Sequence, residues 1–244
     1  VRFFENMLIK RCSKLLVSSL GFYDFYKKTY NFKGKCVLVE NIPRKAIFQN
    51  FSEHEKSKKE NIKVGYVGIV RYLDSLKYLV SSLDMFNLKS SNKIDLFVAG
   101  GGDKSVFEAI MTGSTNYEYE DQFEYKKDIC RLYSKVDIIY AVYDSNDYNC
   151  CVAMPNKFYE SLVTGKPIIV AKGTYLSKRV EELGVGISVN INSPDLVKAF
   201  GQIEDKNSWY NVAKMRLKEY DIDNLHEQYK KQLIRAIWII NLLI

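Results

Sequence analysis

Histidine is nearly missing from this sequence: only His54 and His226 occur in 244 residues, and none of the five cysteines (Cys12, Cys36, Cys130, Cys150, Cys151) forms a C-x-x-C pair. Neither a metal centre nor a disulfide framework follows from residues so few and so irregularly spaced, and a reducing, cytoplasmic compartment fits best. No apolar run reaches the ~20 residues that cross a bilayer. The apolar end, residues 234–244, reads as a packed terminal helix. A secretory signal is also missing, because the first twenty residues are broken by Glu5, Lys10, Arg11 and Lys14. The chain begins with Val1, and a preceding N-terminal portion is expected. The 18 tyrosines are scattered without a repeat, which argues against a base-stacking platform and against nucleic acid as a partner. The charge surplus is modest, 36 Lys and Arg against 29 Asp and Glu, as on a solvated basic surface. Phe3, Phe4, Leu8 and Ile9 interleave with Lys10, Arg11 and Lys14. Such a segment could rest on an anionic membrane face, although packing inside a domain explains it as well.

What is present is alternation. Short apolar runs rich in β-branched residues ("IKVGYVG", "IDLFVAG", "VDIIYAVY", "PIIVA", "VGISVNI") alternate with stretches of helical spacing such as "SLKYLVSSLDMF" and "SVFEAIM". Parallel strands covered on both faces read as continuous apolar runs, so the expected fold is α/β, a Rossmann-like parallel sheet flanked by helices. An earlier βαβ-like piece runs from Leu15 to Glu40. The charge-dense "SEHEKSKKEN" that follows reads as a surface linker. The expected layout is therefore a leading piece over 1–43, a linker over 44–61, a Rossmann-like domain over 62–205 and terminal helices over 206–244.

Two stretches carry candidate chemistry. In "VGYVGIVRYLDSLKYL" a strand ends at Gly68 and a helix begins near Asp74 or Ser75, either of which suits an N-cap. Glycine lets a ligand approach the backbone there, and Arg71 and Lys77 could offer a forked donor and a point charge to a diphosphate. The stretch is neither a G-x-G-x-x-G nor a P-loop. The run Gly100–Gly102 after "IDLFVA" permits a similar approach, and a plain strand-to-helix turn explains it as well. In "PNKFYESLVTGKPIIV" Pro155 starts a helix, Gly165 ends it and Pro167 follows, which sets the helix at Asn156–Thr164. Lys157 and Glu160 lie three apart on one face of it. The carboxyl edge of an open α/β sheet is where ligands bind, so the carboxylate could accept from vicinal hydroxyls and the ammonium could serve a phosphate. An ordinary intrahelical pair is the plainer alternative.

These segments, in this order, resemble the C-terminal, donor-binding domain of GT-B glycosyltransferases, close to family 4 and to the bacterial capsular and exopolysaccharide enzymes. "SKLLVSSLGFYDFY" with "VLVENIP" resembles the end of the N-terminal acceptor domain and the hinge; "VGYVGIVRYLDSLKYL", "LFVAGGGD", "DICRLYSKVDIIYAVYD" and the P-N-K-x-x-E segment follow. The resemblance implies a cytoplasmic enzyme, with peripheral contact at the inner membrane as one expectation, that transfers a sugar from a nucleotide diphosphate donor, with retention and without a metal or cofactor, to a glycan or lipid-linked acceptor. It implies that Gly68 approaches the donor, that Arg71 and Lys77 hold the diphosphate and stabilise it as it leaves, that Glu160 binds the ribose beside Asn156 and Lys157, and that Tyr119 lies near the base. One position departs from the pattern: where many such enzymes carry a second glutamate near the sugar, eight residues before Glu160, this chain has Val152, with Asp144, Asp147 and Asn149 as nearby substitutes. That departure keeps open a non-catalytic nucleotide-sugar-binding module that docks to an active partner. A nucleotide-sugar epimerase of the same fold is the other alternative, disfavoured because no histidine lies between His54 and His226.

Overall fold

The computed structural model describes residues 2–52, 60–70, 72–102, 104–111 and 113–241. It opens with helix α1 (Arg2–Arg11), strand β1 (Lys14–Val17), helix α2 (Leu20–Tyr30) and strand β2 (Lys35–Leu38). The two strands pair in parallel, as the βαβ-like reading requires. After a 3-10 turn at Lys45–Phe48 comes the main body: β3 (Ile62–Val67), α3 (Leu73–Lys89), β4 (Ile94–Ala99), α4 (Lys104–Ile110), β5 (Tyr117–Glu120), α5 (Tyr125–Ser134) and β6 (Ile138–Ala141). It continues through α6 (Tyr148–Val152), α7 (Asn156–Thr164), β7 (Ile168–Ala171), α8 (Tyr175–Leu183), β8 (Gly186–Val189), α9 (Asp195–Gly201), α10 (Trp209–Glu219) and α11 (Ile222–Asn241).

Strands β3 to β8 form one all-parallel sheet in the order β5-β4-β3-β6-β7-β8. Successive residues of β6 show why the strand is apolar throughout. Ile138 and Tyr140 pack into the core under α3 and α9, with Leu76, Leu79, Leu83 and Phe200, whereas Ile139 and Ala141 pack into the core under α5, α7 and α8, with Leu132, Phe158, Leu162 and Val180. Each strand residue is thus buried on one face or the other, and at about 25 cal/mol per Å² of apolar area these two layers dominate the stability. The order of the strands reverses direction between β3 and β6. Consecutive connections run outward from β3 through β4 to β5, and then from β6 through β7 to β8. That junction is the switch point, where two adjacent loops diverge and leave a crevice at the carboxyl edge.

Two local readings are corrected. Helix α3 starts at Leu73 rather than near Asp74 or Ser75, with Tyr72 before it making no side-chain cap. Ser75 turns inward instead, donating to the Val142 carbonyl and so tying the helix to the chain just beyond β6. Within the expected linker over 44–61, Phe48 is buried and packs in the core beneath α5, where the Cys130 thiol donates to the Ile47 carbonyl at 3.0 Å; residues 53–59 of that linker lie outside the described residues. A tether in that part would not bury an aromatic ring.

Candidate functional site

A cavity of about 290 Å³ lies at the switch point, lined by Gly68 and Ile69 from the end of β3, by Tyr72, by Asn149 and Cys150 from α6, and by Pro155 and Lys157 at the start of α7. Its floor follows from glycine. Gly68 has φ +143°, a conformation costly to a side chain. Its neighbour Gly100 (φ +144°) has no room for a Cβ, which would fall 2.0 Å from the Gly68 carbonyl oxygen. The glycine run after β4, to which no role attached, therefore has one: it lets the β3 and β4 loops lie against each other, with the Gly68 N–H bonded to the Ala99 carbonyl at 2.7 Å.

Helix α7 aims the polar residues. Its span is the expected Asn156–Thr164, with Gly165 closing it in the left-handed region at φ 68°; Pro155 is its extended N-cap residue rather than its first helical one. The helix start brings the Lys157 side chain to the cavity wall, its Cε 3.8 Å from where a Cβ on Gly68 would stand. Glu160, one turn on, is completely buried. Its carboxylate accepts from Tyr125 at 2.8 Å and from Tyr133 at 2.5 Å, and pairs with the Lys157 ammonium at 2.7 Å. The ammonium also lies 5.6 Å from the centre of the Tyr133 ring. A buried carboxylate is costly unless each oxygen is bonded, and here each one is. Burial first, and the Glu160 carboxylate second, hold the Tyr125 and Tyr133 phenols above their usual range. The pair is accordingly no surface ornament of the helix.

The other expected residues distribute differently. Asn156 is exposed and accepts from the Asn41 side chain at 2.7 Å, joining the "VENIP" stretch to the head of α7. Tyr119 stacks on Phe107 with ring centres 4.9 Å apart and donates to the Gly100 carbonyl at 3.3 Å, away from the cavity. Lys77 lies in the second turn of α3 and lines an adjoining, larger cavity of about 600 Å³ with Asp74, Asp144 and Lys172, and it pairs with Asp74 at 3.8 Å. Lys77 does not line the cavity at Gly68 and Lys157, although Tyr72 lines both cavities. Arg71 lies outside the described residues. At the position of the departing glutamate, the Val152 carbonyl accepts from Ser19, which fastens α6 to the start of α2. Of the three proposed substitutes only Asn149 lines the cavity at Gly68; Asp147 caps α6 and Asp144 faces the larger cavity.

Sequence reasoning missed the two tyrosines. Tyr133 shares the inward face of α5 with Ile129 and Leu132, and that spacing marks only a core position. Glu40 of "VENIP" was missed as well: it accepts from Tyr159 at 2.8 Å and from Gln232 at 3.0 Å, so one carboxylate joins α7 and α11 to the chain beyond β2.

No protein-family model matches the sequence, and no curated protein matches it at a significant level. Solved structures match it in shape. Sucrose-phosphate synthase from Thermosynechococcus elongatus superposes with a TM-score of 0.65 over 98% of this chain and 61% of its own, at 14% identity. The fold is that of the C-terminal half of the GT-B glycosyltransferases. Anabaena HepE in complex with UDP-glucose gives a TM-score of 0.66 over 96% of this chain and 67% of its own, at 13% identity. The pneumococcal O-GlcNAc transferase GtfA in complex with UDP and GlcNAc gives 0.64 over 96% and 47%, at 12% identity. The chain thus spans 61% of the synthase and 47% of GtfA. Among the described residues, no helix is long and apolar enough to cross a membrane.

Proposed function

We propose that this chain is the donor-binding half of a glycosyltransferase that uses a nucleotide diphosphate sugar. One observation carries the reading: the switch-point cavity joins a bare backbone at Gly68 to an ammonium at Lys157. A loop without a side chain lets a phosphate approach the main chain, and a positioned cation then neutralises charge that grows on a departing diphosphate. Lys157 takes the place first given to Lys77, and Arg71, in the loop after Gly68, is retained as a second cation. Glu160 is assigned to the ribose hydroxyls. UDP and UDP-glucose, held by proteins of the same fold, are the first ligands to try. The acceptor would be a glycan or a lipid-linked glycan of surface polysaccharide synthesis, met at the cytoplasmic face of a membrane, and the leading piece, residues 1–43, would belong to the acceptor domain. Retention of configuration completes the reading.

Val152 supports a second reading, a nucleotide-sugar-binding module without transfer activity, since that position carries no side-chain acid or base. Hydrolysis or transfer by a chain with its N-terminal domain restored, measured with a set of nucleotide sugars, separates the two. Turnover lost in Lys157→Gln supports the enzyme, tight binding without turnover supports the module, and no binding of any nucleoside diphosphate overturns both.

A further inference from the structure

His226 has no part in the donor site. It lies in the second turn of α11, next to Leu225, whose side chain is buried in the same core as Phe48 of the 3-10 turn. Its Nε2 is buried and has no hydrogen-bond partner among the described residues. A buried polar atom left without a partner is uncommon in a folded chain. Beside it, Lys45 of the 3-10 turn pairs with Asp223 of α11 at the surface, with side chains 62% and 79% exposed. Burial first, and the Lys45 ammonium second, hold the imidazole below its usual range, and Asp223 opposes them. These are the charges that act on the ring, one from its own helix and one from the 3-10 turn. Farther along α11, Gln232 exchanges two hydrogen bonds with Glu40, each at 3.0 Å. Helix α11 is thus a strap, joined near its start to the 3-10 turn and at its middle to the chain beyond β2.

We propose that His226 is a proton-operated release for the first turns of α11: the neutral ring keeps them closed on the 3-10 turn, and the protonated ring opens them. The release stands independently of the donor-site reading. Neutral imidazole has one N–H and one bare nitrogen, so one tautomer leaves Nε2 with no proton to satisfy. Protonation removes that option. Both nitrogens then carry N–H, and Nε2 becomes a buried donor without an acceptor in a ring that has gained a charge. The carboxylate that faces the ring, Asp223, is already held by Lys45, whose ammonium repels the new cation. Water is the remaining partner, and reaching it draws the ring out from beside Leu225. The sign follows from the burial: the folded chain binds this proton less readily than the unfolded chain does. The contact is therefore complete above about pH 6.5 and weakens as the pH falls below it.

Proton NMR reads the ring directly, because the chain has only two histidines. In His54→Gln one imidazole signal remains, and its midpoint is expected below about 6.5. On that background Lys45→Met should raise the midpoint and Asp223→Asn should lower it. Hydrogen exchange reads the release itself, through the Leu225 amide, which donates to the Asp221 carbonyl at 3.1 Å. Corrected for the intrinsic rate, its protection should fall several-fold between about pH 7.5 and about pH 5.5, with a ceiling of about 10-fold set by one pH unit below the ordinary midpoint. In His226→Gln it should stay constant over that range. A midpoint at or above about 6.5, or one that neither charge variant moves, overturns the proposal. Constant Leu225 protection while the ring titrates overturns it too, since the ring then turns out to water without opening the helix. So does a fall in His226→Gln as large as in the parent, which places the sensitivity on another group. The NMR arm decides the matter even if His226→Gln folds poorly.

Discussion

Two Lys-carboxylate pairs with the same spacing of three residues flank the carboxyl edge of the sheet, and they are chemically unlike. Lys157 and Glu160 on α7 meet at 2.7 Å with side chains 14% and 0% exposed, whereas Asp74 and Lys77 on α3 approach only to 3.8 Å with side chains 93% and 61% exposed. Water screens the second pair, so its worth is about 0–1 kcal/mol. The first pair lies where removing one partner leaves a charge without water. Spacing put both pairs on a helix face, and two tyrosines from α5 made one of them part of a buried network.

That contrast can be broken by mutation. The largest effect is expected for Glu160→Ala, which strips Lys157 of its partner and leaves the buried Tyr133 phenol and the half-buried Tyr125 phenol without an acceptor. Chemical denaturation should show a loss of about 3–5 kcal/mol, the usual result of breaking a buried pair. Tyr133→Phe keeps the ring and removes one donor from the carboxylate. The expected loss is about 1.5–3 kcal/mol, the range for a hydrogen bond to a charged group. Gly68→Ala should cost about 1–3 kcal/mol, because a side chain is forced into a sparsely populated backbone region. Here the neighbouring atoms leave room, so a loss near zero would show that the loop simply re-forms. At the small end, Asp74→Ala should stay within about 0.5 kcal/mol of the parent, as for an exposed surface substitution. Equal losses for Glu160→Ala and Asp74→Ala would erase the distinction between the two pairs.

The same contrast shows what the sequence could disclose. The span of helix α7 was legible because a proline and a glycine bracket it, and both act locally through backbone angles, although Pro155 is the N-cap and not the first helical residue. The buried strands β3, β4, β6 and β7 were legible as apolar runs because helices cover both of their faces. Strand β5, "YEYE", escaped that pattern: it is an edge strand whose Glu118 and Glu120 form ion pairs with Lys135, and charges suit an edge. The partners of Glu160 were not legible, since Tyr125 and Tyr133 come from another helix 27 to 35 residues away. No local pattern tells an inward tyrosine that packs from one that also donates. The start of α3 misled for a related reason, with Ser75 spending its hydroxyl on the chain beyond β6 instead of on its own helix.

The central claim is that the anion site is built on Gly68 and Lys157 at the switch point, and the most direct test is calorimetric titration of UDP, and of the other common nucleoside diphosphates, against the parent chain, Lys157→Gln and Lys77→Gln. Loss of one charged hydrogen bond corresponds to roughly 10- to 150-fold in affinity. The account predicts a loss of that size in Lys157→Gln and parent-like binding in Lys77→Gln. Parent-like binding in Lys157→Gln together with a large loss in Lys77→Gln would contradict it, and would move the diphosphate to the cavity beside α3.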